Sequence, residues 1–91
     1  MANIIIKLKV MPSSPEVNLE ELVKFCKEKI EAAKAFLHKA TAEPVAFGLK
    51  ALFFVFMGPE KELKVDDIEA AIKENPNVVS TEVVDIRRAV D

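Results

Sequence analysis

The residues able to do covalent chemistry are few. The chain has one histidine, His38, and one cysteine, Cys26. Nucleophilic catalysis needs a nucleophile beside a base that is itself held in place. His38 falls on a short strand with no serine or cysteine evidently near it, and reads as a partly exposed strand residue. Cys26 lies on the apolar stripe of a helix, where a thiol is buried and inert. One cysteine and one histidine cannot make a structural zinc site. Two glycines, Gly48 and Gly58, cannot build a phosphate-cradling loop of either common type. Asp66 and Asp67 begin a helix, which capping and the helix dipole explain. No catalytic residue, metal ligand or cofactor site is expected, and the residues argue against an enzyme. Of 13 cationic residues, only Arg87 and Arg88 are arginines; adjacent near the C-terminus, they read as a solvated strand end.

The elements that carry these residues follow from periodicity. Asn3 to Met11 alternates, with Ile4, Ile6, Leu8 and Val10 on one face and Ile5, Lys7 and Lys9 on the other, and Met11-Pro12 closes that strand. After the turn residues Ser13-Ser14-Pro15-Glu16, Asn18 caps a helix, with Glu21 placed to complete a capping box. Leu19, Leu22, Val23, Cys26, Ile30 and Ala33 form its apolar stripe. Phe36 to Thr41 reads as a second strand, and Gly48 to Met57 as a long third one stopped by Gly58-Pro59. Asp66 opens a second helix with Ile68, Ala71 and Ile72 on its buried side, ended by Asn75-Pro76-Asn77. Val78 to Ile86, rich in β-branched residues, is the last strand. The order βαββαβ, with right-handed crossovers, predicts an α+β ferredoxin-like sandwich. Four antiparallel strands form one sheet, and both helices cover one face.

The third strand departs from simple alternation. Leu52, Phe54 and Phe56 occupy one face, yet Ala51, Phe53, Val55 and Met57 on the other are apolar too. A sheet covered on one side only should be mostly polar on its other side. One apolar set therefore faces outward, as a contact surface or beneath a covering loop or partner.

Residues 1–91 are read as a single domain, since this length leaves little room for a second. The chain is 51% hydrophobic and 31% charged, with a net charge of -2. That composition is globular, and the charge disfavours wrapping nucleic acid by phosphate neutralisation. The longest apolar run, Ala51 to Met57, is far short of the roughly 20 residues that a helical membrane span needs. Met-Ala-Asn-Ile-Ile-Ile-Lys has no basic region ahead of its apolar stretch, so no secretory signal is expected. A lone cysteine argues for a reducing, intracellular setting, and the chain is expected to be cytoplasmic.

RNA-recognition motifs share the predicted topology, and Lys50-Ala51-Leu52-Phe53-Phe54-Val55-Phe56 is loosely similar to their third-strand aromatic pattern. The first strand, Ile4-Ile5-Ile6-Lys7-Leu8, offers no aromatic partner for a base. An RNA-binding domain of this topology stays open as an alternative. So does a small ligand-binding regulatory module that dimerises through its open sheet.

A more specific likeness lies at Glu43-Pro44-Val45-Ala46-Phe47-Gly48-Leu49-Lys50-Ala51-Leu52. This decapeptide resembles the Pro-Ile-Ala/Gly-Phe-Gly-Leu/Ile segment of the translation elongation factor 1-beta family in its short archaeal form. Lys9-Val10-Met11-Pro12 with Pro15-Glu16-Val17-Asn18-Leu19, then Leu37-His38-Lys39, then Ser80-Thr81-Glu82-Val83 through Asp85-Ile86-Arg87-Arg88 extend the resemblance over essentially the whole chain. The resemblance implies a guanine-nucleotide exchange factor that promotes GDP release and GTP reloading of elongation factor 1-alpha during protein synthesis. The partner would be that GTPase, GDP-bound and nucleotide-free. No cofactor, membrane or direct nucleic-acid contact is implied, and the chain would be a monomer or weak homodimer.

In the family, the C-terminal end and the Phe-Gly region approach the nucleotide and Mg²⁺ site. A lysine near the C-terminus of eukaryotic members is the inserting cation, and Arg88 stands at that position here. It keeps the charge but presents a wider, planar guanidinium, which either reaches the Mg²⁺ site or forks onto a partner carboxylate. The resemblance likewise implies partner contacts for Arg87, for Phe47 as an apolar anchor, for Gly48 beside it and for Lys50 as an electrostatic support.

Overall fold

The structure, a computed structural model, describes residues 3–45 and 48–89. Strand β1 spans Asn3–Pro12, helix α1 Leu19–Ala32, β2 Phe36–Pro44, β3 Lys50–Pro59, helix α2 Val65–Lys73 and β4 Val78–Ala89. The strands form one antiparallel sheet in the order β2-β3-β1-β4, the ferredoxin-like arrangement that the element order predicts. The alternation of β1 decides the layering. Ile6, Leu8 and Val10 are fully buried, and they share a core with Leu52, Phe54 and Phe56 of β3, Leu22, Cys26 and Ile30 of α1, and Ile68 and Ile72 of α2. Both helices thus cover the same face. Truncating a buried phenylalanine of such a core costs about 3–5 kcal/mol.

The helix ends show how local chemistry aims the chain. Asn18 Oδ1 accepts from the N–H groups of Glu20 and Glu21 at 3.0 and 3.3 Å, so the expected cap forms. At the other end of α1, Lys34 N–H donates to the Glu31 carbonyl and Ala35 N–H to the Ile30 carbonyl. That pair of bonds places Lys34 in the left-handed region, φ 66°, a position usually held by glycine. Ala35 is thereby turned into the core while Phe36 is left 64% exposed.

Four expectations need correction. Asp66 does not cap α2: the cap residue is Lys64, without a side-chain bond, and Asp66 and Asp67 lie in the first turn, where their charges suit the helix dipole. Gly48 is not in β3. Its φ of +75° has no place in a strand, so β3 starts at Lys50 and runs on through Gly58. Gly58 is held in β3 by its pairing with Ile4, and its lack of a side chain makes room for Leu63, which an added Cβ would meet at 3.2 Å. Ala51, on the outward face as expected, is nonetheless fully buried there and so adds nothing to the exposed apolar set. Finally, β2 and β4 both outrun their predicted ends, and β4 incorporates Arg87 and Arg88.

Candidate functional site

Register places each candidate. In β4, Arg88 lies opposite Ile4 and Arg87 opposite Ile5 of β1. Side chains on directly paired residues share a face, so Arg88 is on the helix-covered side and Arg87 on the open side. A bulge sets this assignment. Lys7 pairs with Asp85 but Leu8 pairs with Val83, leaving Val84 as an extra residue and shifting the alternation beyond it. A second extra residue, Val79, lies between the partners of Met11 and Pro12.

Both guanidiniums are already engaged. Arg88 Nη2 donates to Glu60 Oε1 at 2.8 Å, joining β4 to the loop that follows β3. Arg87 Nε donates to Asp85 Oδ2 at 2.8 Å along the same strand. These side chains are largely exposed, at 69% for Arg88 and 77% for Arg87. Exposed pairs of this kind are worth about 0.2–1 kcal/mol, so either arginine can change partner cheaply.

Gly48 and Lys50 lie at the opposite end of the sheet. Val45 N–H donates to the Leu49 carbonyl at 2.8 Å, pinching the base of the β2–β3 loop. Gly48 is exposed there, and a side chain added to it would meet nothing within 4 Å, so its glycine answers the backbone angle rather than close packing. Lys50 is exposed at the start of β3, opposite Pro44. Phe47 lies outside the described residues. From Lys50 to Gly58, the β3 residue paired with Ile4, the strand climbs roughly 27 Å at ~3.4 Å per residue. The structure therefore brings Arg87 and Arg88 together at one end and keeps them well away from the Gly48–Lys50 end.

The open face carries the outward apolar set of β3 between rows of polar partners. Lys9 and Thr41 flank Phe53, and Lys7 and Lys39 flank Val55. The Lys7 ammonium sits 5.1 Å from the centre of the Phe53 ring, within cation–π range. Phe54 and Phe56 are in the core. Only one aromatic of β3 thus faces outward, and a lysine already covers it, which is a poor platform for stacked bases.

His38 is the extra residue of a bulge between Leu37 and Lys39 and is exposed. Burial pushes the Cys26 thiol up to about 12, which leaves it protonated and unreactive. Among the described residues no cluster of three or more metal-ligating side chains occurs. No helix among them is long and apolar enough to cross a membrane.

Comparison with known proteins adds the remaining observations. Residues 5–89 match the model of the EF-1 guanine nucleotide exchange domain. The chain is 44% identical over 86 residues to an elongation factor 1-beta of Methanococcus maripaludis, covering 94% of this chain and 97% of that one. It is 39% identical over 89 residues to the elongation factor 1-beta of Methanocaldococcus jannaschii, covering 98% and 100%. With that of Pyrococcus abyssi it shares 44% over 90 residues, covering 94% of each. Among solved structures, ribosomal protein S6 of Thermotoga maritima superposes with a TM-score of 0.69 at 18% identity, covering 96% of this chain and 88% of that one. The C-terminal domain of MgtC from Mycobacterium tuberculosis gives 0.67 at 9%, covering 94% and 87%. At such identities these two likenesses concern the fold alone.

Proposed function

The chain belongs to the EF-1 guanine nucleotide exchange domain family, and from that premise we propose that it promotes GDP release from elongation factor 1-alpha so that GTP can reload. The observation that carries this reading is the match of residues 5–89 to that domain, which includes both arginines and the Gly48–Lys50 segment. The activity involves no covalent step and needs no cofactor of its own. It takes place in the cytoplasm, where translation runs, and one copy per GTPase suffices whether the free chain is a monomer or a weak homodimer.

Physics supplies the mechanism. A GTPase holds GDP through backbone amides, a lysine and a Mg²⁺ ion that links phosphate to protein. Arg88 is carried on a paired strand at one end of the sheet, so it is presented by a rigid element. A guanidinium about 5 Å from Mg²⁺ is repelled by roughly 6–7 kcal/mol at an effective dielectric near 20, before desolvation. It also competes, as a two-pronged donor, for the carboxylates that ligate the metal. Loss of the ion loosens the phosphates, and the nucleotide leaves. The factor gains by binding the empty state more tightly than the loaded one, and that difference is the whole of its action. Arg87, on the other face, holds a neighbouring part of the partner. Gly48 and Lys50, at the far end of the sheet, meet a separate region of the same GTPase, and Phe47, the residue before Gly48 in sequence, joins that contact.

Release of fluorescent GDP from the cognate GTPase tests this reading. The wild-type chain accelerates release by roughly a hundredfold or more. Arg88→Ala, an exposed change that leaves the melting temperature in place, removes most of that acceleration. Release unaffected by the wild-type chain would overturn the assignment.

A further inference from the structure

Three apolar residues line up beside Arg87. Register places Phe36 of β2, Met57 of β3, Ile5 of β1 and Arg87 of β4 directly opposite one another in turn. They form a single row across the open face, about 14 Å long at ~4.8 Å per strand. This is the end of the sheet where Arg88 lies. Elsewhere on the open face, lysines and acidic residues flank the apolar set. Here none of the described residues covers it: Phe36 is 64% exposed and Ile5 36%. Phe36 and Met57 also wall an open hollow of about 380 Å³ whose rim includes Lys34 and Pro59.

The backbone is specifically built to present Phe36. Lys34 sits at φ 66°, a conformation costing a non-glycine residue roughly 1 kcal/mol, and this turn is what sends Ala35 inward and Phe36 out. From Pro59 the chain runs directly into Glu60, the residue holding Arg88. The hollow and Arg87 therefore share the open face at this end of the sheet, with Arg88 next to them on the helix-covered face. The open surface has an apolar centre, and at its margins stand two cations, Lys34 and Arg87, against one carboxylate, Asp85, which is already paired with Arg87.

We propose that this hollow is the docking seat for the GTPase itself. It takes an apolar side chain of the GTPase set among acidic residues, with Phe36 as the anchor of the contact. The inference rests on the exchange reading for its partner and goes beyond it. It assigns affinity to Phe36, Met57 and Ile5, and turnover to Arg88. Phe, Met and Arg are among the residues enriched in the buried cores of protein–protein interfaces, with a polar rim around them.

Binding of Phe36→Ala to nucleotide-free elongation factor 1-alpha, measured by calorimetry, and its exchange kinetics test this together. The dissociation constant and the half-saturating GTPase concentration each rise roughly tenfold or more. The maximal release rate stays that of wild type, the signature of lost ground-state binding. Phe36→Leu restores most of the affinity, and the melting temperatures of both variants stay within a few degrees of wild type. Unchanged affinity in Phe36→Ala would overturn the seat, as would a lower maximal rate at unchanged half-saturation. If the wild type binds the GTPase but releases no GDP, the exchange reading falls, and the Phe36 affinities still decide the seat. If it does not bind at all, both fall.

Discussion

The ion pair between Arg88 and Glu60 must open before Arg88 can act on a partner, and its strength sets a measurable ceiling. The N···O distance is 2.8 Å, and the two side chains are 69% and 40% exposed. A pair so open to water is worth about 0.2–1 kcal/mol. Glu60→Gln keeps the side chain's shape but removes the charge that holds Arg88. If exchange requires the pair to break, the variant releases GDP about 1.4- to 5-fold faster than wild type at sub-saturating concentration, that range being the same energy expressed as a ratio. Stopped-flow release of fluorescent GDP at low ionic strength measures it. Raising the salt tenfold shrinks the gap, because screening weakens the exposed pair in the wild type and has little to act on in the variant. A Glu60→Gln rate equal to or below wild type at low salt would refute the reasoning. It would mean that Glu60 orients Arg88 for its task instead of holding it back.

Other expectations concern stability and reactivity. Lys34→Gly, at a left-handed C-terminal position of α1, stabilises the fold by roughly 0.5–1 kcal/mol, or a few degrees in melting temperature for a domain this size; a lower melting point would contradict the strain assigned there. Cys26, with its thiol pushed up to about 12 by burial, resists thiol reagents at pH 8 until the protein unfolds, as a colorimetric titration with and without denaturant shows. The same shift has a sign in stability. The folded state keeps the proton that the unfolded state gives up near pH 9, so this contribution is complete below pH 9 and falls as pH rises towards 12. Chemical denaturation of wild type and Cys26→Ala across that interval reads the difference in slope.

Much of the architecture was legible because single residues carried it. Alternation at Ile4 to Val10 gave the buried face of β1, the spacing of Leu22, Cys26 and Ile30 gave the buried stripe of α1, and Asn18 marked its start. What could not be read depends on partners distant in sequence. Gly48 looked like strand because an apolar run follows it, and only its left-handed angle excludes it. Lys34 sits where a glycine would signal a helix end, so Phe36's outward position left no local mark. At the arginines, counting alternate residues from Val83 would put Arg87 on the helix side and Arg88 on the open side. The bulge at Val84 inverts that, and it arises from pairing with β1 rather than from any local pattern. Type and position of the two cations were evident early; their orientation was not.

That extra valine has a consequence for how the tail is specified. The phase of residues 85–88 is locked to β1 from Asp85 onward, and Val84 absorbs the mismatch with the segment before it. Excising Val84 would leave each guanidinium on its present side, whereas smoothing the strand with all residues kept would transpose them. The odd–even count of the last strand can therefore drift upstream of Asp85 without disturbing the tip, and a one-residue change downstream has no such buffer.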